Sequence, residues 1–294
     1  MVLDWLRVRQ IVTVIGGSMG GMLVLEFAYF GKDYVKSIIP ISTSASYSAW
    51  GIGWGEMQRQ CIFGDPKYRE GWYPPDDPPM TGLAAARMAA MLSYRSCMSF
   101  QRRFGRTEQQ APNPDDRWIS EPQEPTLATT PTFRSAQSYL QYQGEKFNKR
   151  FDANCYIALT HKLDTHDVSR DRVTPNIFPE KMIQEALGLI EQPTLILGIE
   201  SDVLFTFSEQ EELKRCIPNS TLSKIVSEDG HDGFLLEMEQ LNQYLQQFLG
   251  CVSPKFVPEN DHGRRGAYVA DPPRKRRSLS KLWRWRSKKS NFWI

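Results

Sequence analysis

Residues 11–21 read Ile11-Val-Thr-Val-Ile-Gly16-Gly17-Ser18-Met19-Gly20-Gly21. The β-branched run predicts a strand, and Met22, Leu25, Glu26 and Ala28 beyond the glycines predict a helix. A serine at such a sharp strand-to-helix turn is a nucleophile elbow, where close backbone contacts on both sides exclude a Cβ. Gly16 and Gly20 fill the two flanking positions of G-x-S-x-G, so a side chain is expected to collide at either one. The bare pattern is weak evidence, because average glycine usage of about 7% produces it by chance in roughly one chain in ten of this length. The strand before it and the helix after it give it weight over an ordinary glycine-rich turn.

A serine nucleophile needs a base and an orienting acid, which in one common chain order follow as Asp and then His. The sequence holds four histidines, at 161, 166, 231 and 262. His231 lies in Glu228-Asp-Gly-His-Asp-Gly-Phe-Leu-Leu, after the strand-like Leu222–Val226 and before an amphipathic helix running to about Leu249. Open α/β sheets keep their sites on such loops, at the carboxyl ends of strands. Asp202 ends the apolar stretch Pro193-Thr-Leu-Ile-Leu-Gly-Ile-Glu-Ser-Asp, and one helix (Ser208–Cys216) and one strand fit between it and His231. Its plain alternative is a helix N-cap, and Glu200 competes for the acid role from a position nearer the strand. His161 and His166 sit in polar Thr-His-Lys-Leu-Asp-Thr-His-Asp, and His262 in a Gly/Pro/Arg-rich tail, where solvated or structural roles are expected.

Further motifs accumulate in order: Gln58-Arg-Gln60 with Asp65-Pro-Lys-Tyr, Gly82-Leu-Ala-Ala-Ala-Arg87-Met, Phe104-Gly-Arg106, Phe151-Asp-Ala-Asn154 and Gly230-His-Asp232-Gly-Phe-Leu-Leu-Glu237. From about Leu3 to Leu249 the chain resembles the fungal form of the homoserine O-acetyltransferase family, in the α/β hydrolase superfamily. The resemblance implies an α/β-hydrolase fold with an inserted helical cap. It also implies acetyl transfer from acetyl-CoA, a co-substrate with no resident cofactor, to L-homoserine in methionine biosynthesis. Ser18 would be the nucleophile, His231 the base, Asp202 the acid and the Met19 N–H one oxyanion donor. A zwitterionic acceptor needs one cation and one anion, and the matching positions are Arg87 and Asp232. Tyr94, seven residues after Arg87, returns to the same helix face and can donate into that pocket. The plain alternative makes Arg87 a surface helix arginine and Tyr94 a core aromatic. Relatives that acetylate other alcohols leave the acceptor less secure than the chemistry, and a homodimer through the cap is a family implication.

Composition fits a cytoplasmic enzyme: 294 residues, 40% hydrophobic, no apolar run long enough to span a bilayer and no secretory leader. Five scattered cysteines without a C-x-x-C pair argue for reduced thiols rather than a disulfide framework or a metal site. Residues 1–45 and 181–250 are expected to form the core and 46–180 the cap, with a flexible Pro/Gln/Asp/Thr-rich loop over 107–133. A complete sheet of the resembled fold has about eight strands with the elbow strand fifth. This sequence enters one short helix before that strand. The expectation is an amino-terminally truncated chain with the first strands and the second oxyanion loop missing, insoluble or inactive when expressed alone. Residues 251–294 carry 12 Lys/Arg against 3 Asp/Glu, with Trp interleaved. That basic tail suits an anionic membrane, RNA or an import receptor, or else is a disordered solvated extension. Three function classes follow: the acetyltransferase, a serine esterase or thioesterase with the same triad, and a noncatalytic remnant with an interaction tail.

Overall fold

The computed structural model describes residues 2–109, 133–175 and 178–253. After a one-turn helix α1 (Val2–Trp5), the elbow strand β1 (Val14–Gly17) runs into α2 (Met19–Ala28), and β2 (Ile38–Ile41) follows. The chain then makes α3 (Ala49–Phe63), a 3-10 turn (Arg69–Gly71), α4 (Met80–Ser93) and α5 (Cys97–Phe104). The short strands β3 (Glu108–Gln109) and β4 (Phe133–Arg134) pair antiparallel ahead of α6 (Ser135–Asn148), α7 (Ala153–Asp164) and α8 (Pro179–Gly188). The last section holds β5 (Thr194–Gly198), α9 (Phe207–Cys216), β6 (Ser220–Lys224), α10 (Gly233–Leu236) and α11 (Met238–Val252).

Four strands form one parallel sheet in the order β1-β2-β5-β6. Burial on both faces explains why β2 and β5 read as apolar runs: every residue in both is buried. The edge strands β1 and β6 are only partly covered. Pro40 has no N–H to offer β5, and the β2–β5 register joins Ile38 to Thr194 and Ile41 to Leu197 without it. Alternation along the strands sorts the side chains into two layers. Ile38 and Ile196 join Val24 and Leu25 of α2, Leu187 of α8 and Leu213 of α9 on one face. Ile39, Ile41, Leu195 and Leu197 meet Phe234 on the other, where Leu241, Tyr244, Leu245 and Phe248 form the apolar stripe of α11.

The helices between β2 and β5 build a second core of Ile62, Leu83, Ala86, Phe147, Ala153 and Tyr156. This insertion returns to the sheet earlier than position 180. Ser46 bridges Asp167, Val168 already sits in the sheet core, and the expected boundary falls inside α8, which packs on the sheet. Of the segment expected as a flexible loop, residues 110–132 lie outside the described residues, while its two ends are paired strands. Residues 254–294, nearly all of the basic tail, also lie outside them. Among the described residues no helix is long and apolar enough to cross a membrane.

Candidate active site

Ser18 stands between β1 and α2 with φ 58° and ψ −127°. A non-glycine residue in this region stores about 1–3 kcal/mol of backbone strain, which persists only where its surroundings fix it. They do so here from three sides. The Ser18 N–H donates to the Ile41 carbonyl at 2.9 Å. Its own carbonyl accepts from Gly21 N–H (2.8 Å), Met22 N–H (3.1 Å) and the Thr43 hydroxyl (2.9 Å). An ideal Cβ on Gly16 would lie 2.4 Å from the Gly20 carbonyl oxygen, so the first flanking position must be glycine. At Gly20 nothing lies within 4 Å, whereas a Cβ on Gly21 would meet the Thr43 side chain at 2.6 Å. The expectation of a collision at Gly20 is therefore corrected. The second close approach belongs to Gly21, because the helix turns that residue, not Gly20, toward the end of β2.

Asp202 and His231 meet. His231 Nδ1 lies 2.6 Å from Asp202 Oδ2, both side chains being almost fully buried. Asp202 Oδ1 accepts from the Leu204 and Phe205 N–H groups at 2.8 and 2.9 Å, so the carboxylate is held at both oxygens. Because Nδ1–H donates to the carboxylate, Nε2 keeps its lone pair free. Burial disfavours the imidazolium, but the Asp202 charge and hydrogen bond, with Asp232 adding, outweigh it and hold the pKa above the ordinary 6.5. Phe205 (5.3 Å), Phe234 (5.4 Å) and Tyr94 (6.1 Å) enclose the ring. Phe234 also packs against Gly17, the residue before Ser18, linking the elbow to the histidine through one aromatic side chain. Among the described residues no hydrogen bond joins Ser18 Oγ to His231; in unliganded enzymes such bonds are often long and tighten only with substrate. Met19 opens α2, where the first N–H groups have no intrahelical acceptor.

Glu200 is taken up by an ion pair with Lys224 at the surface, away from the histidine. His161 is exposed beside Asp164, and His166 faces the Ser44 carbonyl, its pKa lowered mainly by burial. His262 lies outside the described residues.

Arg87 is only 7% exposed, so the reading as a surface arginine does not hold. Its guanidinium lies 5.5 Å from the Tyr94 ring centre and 4.9 Å from that of Phe147, while Nε and Nη1 have no hydrogen-bond partner. Buried, unused guanidinium donors call for an anion that the protein itself does not provide. Asp232 lies beside His231, and burial raises its pKa against the opposing pull of Arg95, His231 and Arg87. Tyr94 is half-buried, and desolvation is the chief cause of its raised phenol pKa. Thr43, Phe205, Phe234 and Arg95 were not expected at the site. Phe205, Phe234 and Arg95 lie within three residues of Asp202, His231 and Tyr94, so proximity to those residues was the signal that could have found them, whereas Thr43 comes from the separate stretch after β2.

The pattern of the α/β hydrolase fold matches residues 1–237. The homoserine O-acetyltransferase of Fusarium oxysporum f. sp. lycopersici is 52% identical over 85% of this chain and 71% of its own length. The chain belongs to the homoserine O-acetyltransferase family of α/β hydrolases. The homoserine O-acetyltransferase of Emericella nidulans is 49% identical over 87% of the chain, which spans 64% of that relative's length. Among solved structures, a homoserine O-acetyltransferase from Bacillus anthracis superposes with a TM-score of 0.69 at 17% identity, over 84% of this chain and 63% of that one. That likeness concerns the fold alone.

Proposed function

We propose that this chain transfers an acetyl group from acetyl-CoA to the hydroxyl of L-homoserine through an acetyl-serine intermediate. The observation that carries the reading is the buried Asp202–His231 pair with a zwitterion's complement at its side: Arg87 with unused donors, and Asp232 next to the histidine. The homoserine O-acetyltransferase names of the relatives supply the acceptor.

In the first step Ser18 Oγ gives its proton to His231 Nε2 and bonds to the thioester carbonyl carbon. The Met19 N–H meets the developing oxyanion. Collapse breaks the carbon–sulfur bond, and the His231 proton leaves with the coenzyme A thiol. In the second step the homoserine hydroxyl passes its proton to His231 and attacks the same carbonyl carbon. The bond to Ser18 Oγ breaks, and the proton returns to the serine. Asp202 keeps Nδ1 protonated and stabilises the cation in both steps. Arg87 binds the acceptor carboxylate, Asp232 its ammonium, and Tyr94 donates into the same pocket. No resident cofactor takes part, and the enzyme works in the cytosol as a dimer joined through the cap.

The test is acetyl-CoA consumption with and without L-homoserine, together with mass spectrometry of the intact chain. Homoserine-dependent turnover and one added acetyl group, both abolished in Ser18→Ala, are expected. Acceptor-independent hydrolysis would instead assign a thioesterase, and no acetylation of Ser18 would end the scheme.

A further inference from the structure

The segment Tyr94–Ser99, where α4 hands over to α5, lies against the histidine loop 227–232 through contacts that the reaction scheme leaves unused. The Arg95 side chain is only 12% exposed and reaches two carboxylates that flank His231 in sequence. Nη1 lies 2.6 Å from Asp229 Oδ1, and Nε 3.4 Å from Asp232 Oδ2. Ser99 Oγ donates to the same Asp229 oxygen, and Ser96 Oγ donates to the Glu228 carbonyl. The Asp232 N–H donates to the Tyr94 carbonyl at 3.0 Å. Gly230 has φ 67°, and an ideal Cβ on it would fall 2.6 Å from Ser96 N and 2.9 Å from the Arg95 carbonyl carbon. No side chain fits between the two segments, so the backbone of the cap rests directly on the loop that bears the histidine.

We infer that Arg95 is a positioning residue: its fork ties the cap to the histidine loop and fixes the Asp232 carboxylate in place for an ammonium-bearing acceptor. The inference rests on the acetyl-transfer reading for its substrate, though not for its geometry. A planar guanidinium whose Nη1 donates a hydrogen bond to Asp229 while its Nε lies in ion-pair range of Asp232 couples the two carboxylates' placement, which a point charge such as lysine does not. Asp232 Oδ2 faces Arg95, and Oδ1 has no protein partner among the described residues, which leaves that oxygen for a ligand. The groups facing Asp232 are Arg95, His231 and Arg87, which favour its charge, and Asp229, which opposes it, with the neutral phenol of Tyr94 nearby. Burial works against the carboxylate, so removing Arg95 leaves it less able to stay charged at neutral pH.

The experiment uses the full chain with Arg95→Ala and Arg95→Lys. Asp232 is titrated by carbon NMR of labelled aspartate carboxyls, assigned with Asp232→Asn, and steady-state kinetics are measured with acetyl-CoA and L-homoserine. In Arg95→Ala the Asp232 titration moves to higher pH. KM for homoserine rises roughly tenfold, more than kcat falls, as expected when the ground state is deprived of one charge-assisted hydrogen bond. Arg95→Lys restores the titration and only part of KM, because it returns the charge without the fork. If Arg95→Ala does not fold, Arg95→Lys carries the test alone, by a risen KM beside an unchanged titration. An unmoved titration in Arg95→Ala overturns the inference, as does a parallel change of kcat and KM for both substrates, which would make Arg95 purely structural. A wild-type chain that consumes no acetyl-CoA with homoserine would sink the acetyl-transfer reading, while the titration still decides whether Arg95 governs Asp232.

Discussion

At His231 two influences of opposite sign set proton affinity, and their balance makes a measurable claim. A general base acts only when neutral, so activity falls as pH drops through the folded pKa of the imidazole. Because that pKa is raised, the acid limb of kcat/KM for acetyl-CoA lies above 6.5. Asp202→Asn removes the charge that raises it and leaves burial in command, so the limb moves below 6.5 while kcat falls by about 10⁴. A pH–rate profile of the two proteins checks both statements. Arg87 presents the opposite trade: its buried donors are unpaired, so stability is given up for binding. Arg87→Met is expected to raise Tm by about 2–4 °C, the shift that one kcal/mol brings to a domain of this size, while abolishing homoserine-dependent turnover. Calorimetry beside the kinetic assay reads both. Asp202 and His231 were legible in the sequence because each follows a strand signal and precedes a helix signal. Arg95 was not, since its meaning comes from Asp229, 134 positions away, and no periodicity or motif encodes a contact of that range.

Among the elements, the strand-to-helix turn at Ser18 distinguishes two glycines that look alike in the sequence. Gly16→Ala drives a Cβ into the Gly20 carbonyl, backbone against backbone, and should cost about 1–3 kcal/mol. Gly20→Ala meets open space within α2, where alanine gains up to about 1 kcal/mol over glycine in helix propensity. Urea melts of the two variants should therefore shift in opposite directions. The pattern G-x-S-x-G fixed the kind of turn but not which glycine is crowded, because that depends on Thr43 approaching from the end of the neighbouring strand. Elements were otherwise readable wherever burial imposed a pattern. β2 and β5 show as apolar runs, and α11 shows as a stripe. The boundary of the insertion was misplaced because α8 carries a helical pattern whether it packs on the cap or on the sheet, and only the contacts of Ala186 and Leu187 decide. The two-residue strands β3 and β4 are too short for any periodicity to register.

In the molecule as a whole, β1 is an edge of the sheet among the described residues. Its N–H groups at Val14 and Ser18 bond toward β2, so by alternation those of Ile15 and Gly17 point outward, beside an Ile15 that is 44% exposed. An open apolar edge is a template for pairing with another chain, and a charge placed on it blocks that pairing. Ile15→Lys is therefore expected to suppress concentration-dependent association beyond the cap-joined dimer, as light scattering over a dilution series would show; an unchanged size distribution would count against the edge. The opposite situation holds at the β3–β4 ladder, whose backbone register pairs Glu108 with Arg134 and Gln109 with Phe133. That short seam joins the end of α5 to the start of α6, where the Ser135 N–H donates to the Thr107 carbonyl at 3.0 Å. Ser135 is the first helical residue, a position that tolerates proline, so Ser135→Pro would strip out that single clasp while leaving α6 itself intact.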